Sequence, residues 1–248
     1  MTASHPARLH WLDPRQPAQP FPDPAFALPE PNGLLAIGGD LSPTRLLNAY
    51  REGIFPWFNP DEPILWWSPE PRCVFVPSAL HVSRSLAKRM RKGHYAVSFN
   101  RAFADTLLAC AGPRRVGRGT WLGPEMRAAY IALHERGTAH SIEVWREGQL
   151  IGGLYGVAIG RVFFGESMFS AETDASKLAL VHLVRQLEAW GFPLIDCQVS
   201  SPHLLTLGAT AMSRAAFRAT SQQAQQLSGP ARWQFESAYA GNAAHLPT

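Results

Sequence analysis

Ser141-Ile142-Glu143-Val144-Trp145-Arg146, Leu150-Ile151-Gly152-Gly153-Leu154-Tyr155-Gly156-Val157-Ala158 and Arg161-Val162-Phe163-Phe164-Gly165-Glu166 are three apolar runs in close succession. The turns Glu147-Gly148 and Ile159-Gly160 separate them. Branched and aromatic runs broken by glycine turns predict three antiparallel strands, Ser141–Arg146, Leu150–Ala158 and Arg161–Glu166. Outward from this core the pattern alternates. Upstream, Cys73–Val76 and Tyr95–Phe99 read as strands. Ser83–Lys92 reads as a basic helix closed by Gly93, and further helices cover Arg101–Cys110 and Glu125–Arg136. Downstream, Leu178, Val181, Leu183, Val184 and Leu187 give a helix over Ala175–Trp190 a broad apolar face, and Gly191 stops it. Leu194–Val199 is a short buried strand, and a last helix covers Arg214–Leu227. A mixed sheet flanked by helices predicts an α+β fold of the acyltransferase kind.

The N-terminal quarter reads differently. Residues up to about Pro31 form a proline-punctuated, extended arm. Ser42 caps a helix that has Pro43 in its first turn, a stripe of Leu46, Leu47 and Tyr50, and Gly53 at its end. Ile54 to Pro71 is dense in aromatics and prolines and predicts a packed irregular wall. A boundary near Pro69–Pro71 divides the chain into a small N-terminal domain, residues 1–70, and a larger one, residues 71–248.

Composition narrows the class. The 248 residues are 46% hydrophobic with eight Trp, which predicts a globular chain. No stretch approaches the roughly 20 apolar residues of a membrane span, so no membrane partner is expected. The first thirty residues lack an apolar signal core. Cys73, Cys110 and Cys197 fit neither a disulfide framework nor a metal cluster. The expectation is a reduced, cytoplasmic enzyme.

The net charge of +4 is weak evidence for a polyanionic partner. Its distribution says more. Lys88, Arg89, Arg91, Lys92, Arg101, Arg114 and Arg115 lie between Arg84 and Arg118, against the single acid Asp105. A charge run is usually a solvated face, but the near-absence of acids here favours phosphate contact. Tyr50, Trp57, Trp66, Trp67 and Trp121 are candidates to stack a base, although most such residues serve a core.

Two segments put polar groups where a core strand wants apolar ones: Gly165-Glu166-Ser167-Met168-Phe169-Ser170 and Ile195-Asp196-Cys197-Gln198. Carboxylates at strand ends are typical of sites, yet they also cap helices or pair with arginines, and both readings stand. Covalent machineries are missing: there is no nucleophile elbow, no metal-type His pair and no phosphate-cradling loop. His81, His134, His140 and His203 are scattered and read as structural. With no cofactor or ATP motif, the substrate is expected to arrive already activated.

In these same segments the sequence closely resembles the bacterial leucyl/phenylalanyl-tRNA–protein transferase family. The likeness runs through Glu30 to Leu35, Gly38 to Pro43, Ala49 to Phe58, Ile64 to Pro69 and His81 to Ser85. It continues through Gly119-Thr120-Trp121, Ala139 to Trp145, Gly165 to Ser170 and Leu194 to Val199. The resemblance implies a small N-terminal domain and an acetyltransferase-like C-terminal domain. It implies transfer of Leu or Phe, less readily Met, from aminoacyl-tRNA to proteins with N-terminal Arg or Lys, which marks them for degradation. By matching position, Asp196 and Gln198 would orient the attacking amine, with Glu166 near the ester and the acceptor. Leu154, Phe163, Met168, Leu180, Leu183 and Ile195 would line the side-chain pocket. Tyr50 and Trp57 would meet the terminal adenosine, and Lys88 and Arg89 the acceptor-stem phosphates, with Arg84 and Trp121 also on the tRNA side. In this scheme Asp196 hydrogen-bonds the side-chain amide of Gln198 and takes the proton through it or a water. Two rivals remain: an aminoacyl-tRNA-dependent ligase of cell-wall cross-bridges, and a non-catalytic RNA-binding module.

Overall fold

The computed structural model describes residues 9–112 and 121–235. Arg114, Arg115, Arg118 and the Gly119-Thr120 pair lie outside the described residues. In chain order the elements are β1 (His10–Leu12), β2 (Leu34–Gly38), α1 (Pro43–Arg51), β3 (Phe55–Pro56), β4 (Leu65–Trp67), β5 (Arg72–Phe75), α2 (Arg84–Lys92), β6 (Ala96–Phe99) and α3 (Phe103–Cys110). They continue with α4 (Pro124–Glu135), β7 (Ala139–Arg146), β8 (Gln149–Ile159), β9 (Val162–Ser170), α5 (Ala175–Ala189), β10 (Leu194–Gln198), α6 (Pro202–Thr206), β11 (Thr210–Met212) and α7 (Arg214–Gln225).

Helix α1 starts as its sequence dictates. The Ser42 hydroxyl accepts from the Arg45 backbone N–H at 3.3 Å, and Pro43 occupies the first turn, where it has no hydrogen bond to lose. Around it lies a four-stranded sheet in the order β1-β2-β4-β3. The arm is therefore only partly an arm: His10–Leu12 pairs in parallel with Ala36–Gly38. Its proline-rich stretch is tied down by Arg45, whose buried guanidinium donates to the carbonyls of Gln19, Asp13 and Gln16. A proline has no N–H for a ladder, so a buried cation takes up carbonyls of this stretch instead. The Ile54–Pro71 wall likewise contains two short strands, β3 and β4.

The second sheet has seven strands in the order β11-β5-β10-β9-β8-β7-β6. All its neighbours are antiparallel except β9 and β10, and a parallel pair needs a crossover, which α5 supplies. One face packs on α5 through Leu178, Val181, Leu183 and Leu187. The other face packs on α3 and α4, and its core continues without a break into Leu46, Tyr50 and Trp66 of the N-terminal part. Gly152 of β8 lets α5 sit close, because a Cβ there would lie 2.4 Å from that of Ala175. Strand β9 runs on to Ser170 rather than ending at Glu166, and α6 and β11 were not foreseen. Among the described residues no helix is long and apolar enough to cross a membrane.

Candidate active site

Two β-bulges open the sheet at one point. Strands β9 and β10 pair from Leu194↔Val162 to Asp196↔Phe164 and pair no further. Just beyond, β9 slips register against β8: Gly156 faces Gly165 while Tyr155 faces Ser167, which leaves Glu166 as the extra residue. Strand β10 slips against β5 in the same way. Asp196 faces Val74 and Gln198 faces Cys73, so Cys197 is extra, and Gln198 takes a left-handed φ of 57°. Side chains alternate along a strand, so Phe163 and Met168, an odd number apart, should face opposite sides. The bulge at Glu166 brings both to one face. Gly156 permits the crowding, since a Cβ there would lie 2.2 Å from the Phe164 carbonyl oxygen.

Behind the opening is a cavity of about 1000 Å³, lined by Leu154, Phe163, Met168, Leu180, Leu183 and Ile195 together with Glu166 and Gln198. All six residues expected to form a pocket thus converge. Five of them are buried, and Met168 is half-buried.

Glu166 sits in a cage of phenols. Tyr50 Oη donates to its Oε1 at 2.8 Å and Tyr130 Oη to its Oε2 at 2.7 Å. The Gln198 side-chain amide donates to Oε1 at 3.3 Å, and the two phenol oxygens lie 2.8 Å apart. Burial pushes the Glu166 carboxyl up to about 7, and the two tyrosine hydrogen bonds oppose that rise without cancelling it. Burial also holds both phenols well above their ordinary range, so they remain donors. Tyr130 was missed in the sequence because it reads there as one more apolar position on α4.

Tyr50 is a correction. It is fully buried, with its ring 5.1 Å from that of Phe164, so it cannot stack an adenine. Its hydroxyl is turned onto Glu166. Trp57 is 48% exposed against Trp67 and keeps a face open to a base. Trp121 is half-buried, edge-on to Tyr130.

Asp196 is a second correction. It does not bond the Gln198 side chain or line the cavity. Its carboxylate accepts from Arg72 Nε at 2.8 Å and Nη2 at 2.6 Å, and from the Gln198 backbone N–H at 2.9 Å. The Arg72 guanidinium lies over the rings of Phe55 and Phe217 at 4.9 and 4.7 Å. Both partners are buried, so the carboxylate is turned into this pair and away from the cavity. What Asp196 does is fix the backbone of the bulge that carries Gln198.

On α2, Arg84 and Lys88 are exposed, whereas Arg89 pairs with Asp174 at 3.3 Å and donates to the Thr173 carbonyl. A second hollow of about 540 Å³ is lined by Ser85, Lys88, Arg89, Lys92, His94, Tyr95 and Arg146, with no acid among them. No group of His, Cys, Asp or Glu that could hold a metal occurs among the described residues.

The chain is similar to known proteins along most of its length. Residues 74–222 match the family model for leucyl/phenylalanyl-tRNA protein transferase, and residues 39–70 match the model of its N-terminal domain. The chain is 57% identical to a protein named leucyl/phenylalanyl-tRNA–protein transferase from Alkalilimnicola ehrlichii, over 92% of this chain and 90% of the relative. It is 58% identical to the protein of that name from Nitrosomonas europaea, over 90% of this chain and 94% of the relative. The protein of that name from Stutzerimonas stutzeri is also 58% identical, with 84% and 92% covered.

Proposed function

The chain belongs to the leucyl/phenylalanyl-tRNA–protein transferase family, and from that premise we infer that it moves Leu or Phe from aminoacyl-tRNA onto the N-terminal Arg or Lys of a protein. The acceptor gains a peptide bond and is marked for degradation. The observation that carries the reading is one cavity that brings six apolar side chains together with Glu166 and Gln198.

The ester of an aminoacyl-tRNA is already activated, so no enzyme nucleophile is required. The acceptor amine has an ordinary pKa of roughly 7.7–8.0 and is partly neutral near pH 7. Gln198 gives its amide N–H to Glu166, which leaves its carbonyl oxygen to accept an N–H of the incoming amine. As nitrogen attacks the ester carbonyl, Glu166, poised near neutrality, takes the proton. The departing ribose oxygen then recovers a proton and leaves as the hydroxyl. Alignment of amine and ester supplies a further 7–11 kcal/mol or so.

Finer parts of this reading have their own supports. The larger domain is acetyltransferase-like, because its one parallel pair, β9 and β10, parts at the site. The division at residue 70 is supported by the gap between the sheets, the first ending at Trp67 and the second starting at Arg72. Met is a third donor, since an apolar wall separates side chains differing by a methylene by only about 1–3 kcal/mol. Action in the cytoplasm follows from the need for charged tRNA.

The reading is tested by incubating the protein with labelled Leu-tRNA and a peptide beginning with Arg; the label should move to the peptide. Two variants test its parts. Met168→Ala opens the pocket wall and should raise kcat/KM for Phe-tRNA relative to Leu-tRNA by about tenfold. An unchanged ratio in the folded variant would put the pocket elsewhere. Lys88→Ala removes a cation with no acid beside it in the hollow. The slope of log affinity against log salt for aminoacyl-tRNA should become shallower by about 0.7–0.9. An unaltered slope would make α2 a solvated face.

A further inference from the structure

Two thiols meet beside the catalytic opening, and the transfer chemistry uses neither. Strands β5 and β10 are antiparallel, with Cys73 opposite Gln198 and Cys197 bulged next to it. Along both strands the sides are sorted. Val74 and Leu194 join the core on the N-terminal side of the sheet, whereas Cys73, Phe75 and Ile195 join the core around α5, and Cys197 packs against that same core. The two cysteines therefore face the same way, as neighbours across the β5–β10 ladder. Cys73 is buried, but Cys197 is partly open and lines the active-site cavity. Cys110, the third cysteine, is buried in the other core.

We propose that Cys73 and Cys197 are a redox-sensitive pair, which a two-electron oxidant of the peroxide class entering the cavity converts to a disulfide that reversibly stops transfer. The neighbouring Cys197 lowers the Cys73 thiol below its ordinary range, and the neighbouring Cys73 together with burial raises Cys197. Two adjacent sulfurs that give up one proton between them leave a single thiolate beside a thiol, which is the state a stepwise oxidation needs. A thiolate sulfur attacks one peroxide oxygen and the O–O bond breaks, giving a sulfenic acid and hydroxide. The second sulfur attacks the sulfenic sulfur and expels its oxygen, which leaves as water with the remaining proton. In balance, two thiols and one hydrogen peroxide give one disulfide and two waters. A dithiol reductant returns the pair. Disulfides in reducing compartments are usually of this transient kind.

The consequence for the site is mechanical. An S–S bond of about 2.05 Å draws the sulfurs closer than any contact between two free thiols. The contraction falls on the bulge that holds Gln198 at its left-handed φ, one residue from Cys197. Gln198 then leaves Glu166. This effect on transfer rests on the transferase reading; formation of the bond does not.

The test treats the full chain with hydrogen peroxide and reads two quantities: the Cys73–Cys197 linkage by peptide mass mapping, and transfer from Leu-tRNA to an Arg peptide before and after dithiothreitol. The expected result is the mapped linkage, at least a tenfold loss of transfer, and recovery on reduction. Cys73→Ala, which leaves the cavity lining intact, should start at wild-type activity and show no recoverable loss. The proposal is overturned if no such linkage forms, if it forms with transfer unchanged, or if Cys73→Ala loses and regains activity like the parent. Absence of transfer before oxidation would count against the transferase reading alone, since the linkage is read by mass.

Discussion

Glu166→Gln is expected to slow peptide-bond formation by about 10²–10⁴-fold, the span a positioned general base supplies. The amide keeps the size of the carboxylate and one acceptor for the phenols, but it cannot hold a proton. In the parent the rate should climb through about pH 7 as Glu166 ionises. The variant should lose that limb and keep only the one due to the acceptor amine. Stability should move the other way. Burial raises the folded-state pKa of Glu166 from an ordinary 4.5 to about 7, so the folded protein binds this proton more tightly than the unfolded chain does. That contribution is fully present below about pH 4.5 and is lost as pH rises through 7. Glu166→Gln escapes the loss. At pH 8 it should be the more stable protein, by about 1–2 kcal/mol once residual solvent access is discounted. Urea unfolding at pH 5 and pH 8 checks this: a variant weaker than the parent at pH 8 would mean that the carboxylate is stabilised, not strained, by its cage.

The second large effect falls on the buried pair behind the site. Asp196→Ala should cost about 3–5 kcal/mol, because it leaves Arg72 charged, dry and unpaired. The protein would then lose transfer by losing its fold, which on its own says nothing about chemistry. The double replacement Arg72→Met with Asp196→Leu removes both charges and should recover most of the stability. It should still be slow, because the Gln198 backbone N–H has lost the carboxylate that holds it. Denaturant midpoints and turnover of the single and double variants separate the two effects. Full activity in the folded double variant would deprive Asp196 of its positioning role.

What could be read in the sequence follows from what leaves a local mark. Turn glycines and apolar periodicity disclosed β7, β8 and the start of β9, as well as α5 with its broad face. A register slip leaves almost no such mark. The apolar run reads as a strand ending at Glu166, whereas Glu166 is the extra residue of a bulge after which β9 resumes to Ser170. A carboxylate at an apparent strand end has the local pattern of a helix cap, which is the other reading that Glu166 allows. Arg72 stands one residue before the apolar run that begins at Cys73, so nothing local marks it as part of β5 or as the cation that pairs with Asp196. Strand β1 pairs with a partner about two dozen residues away across a run of prolines, a contact that no short window can register. Tyr50 was assigned by its ring, but its burial makes the hydroxyl the working part. The pocket residues came from family resemblance, and their meeting depends on a bulge that sequence spacing alone would have argued against.

The most direct measurement is the single-turnover rate of Leu transfer from Leu-tRNA to an Arg-initiated peptide at pH 7, in parent and Glu166→Gln proteins saturated with the same tRNA. The account predicts a peptide extended by Leu at its N-terminus, formed rapidly by the parent and at least a hundredfold more slowly by the variant. No extended peptide from the parent, or equal rates from the two proteins, would contradict it.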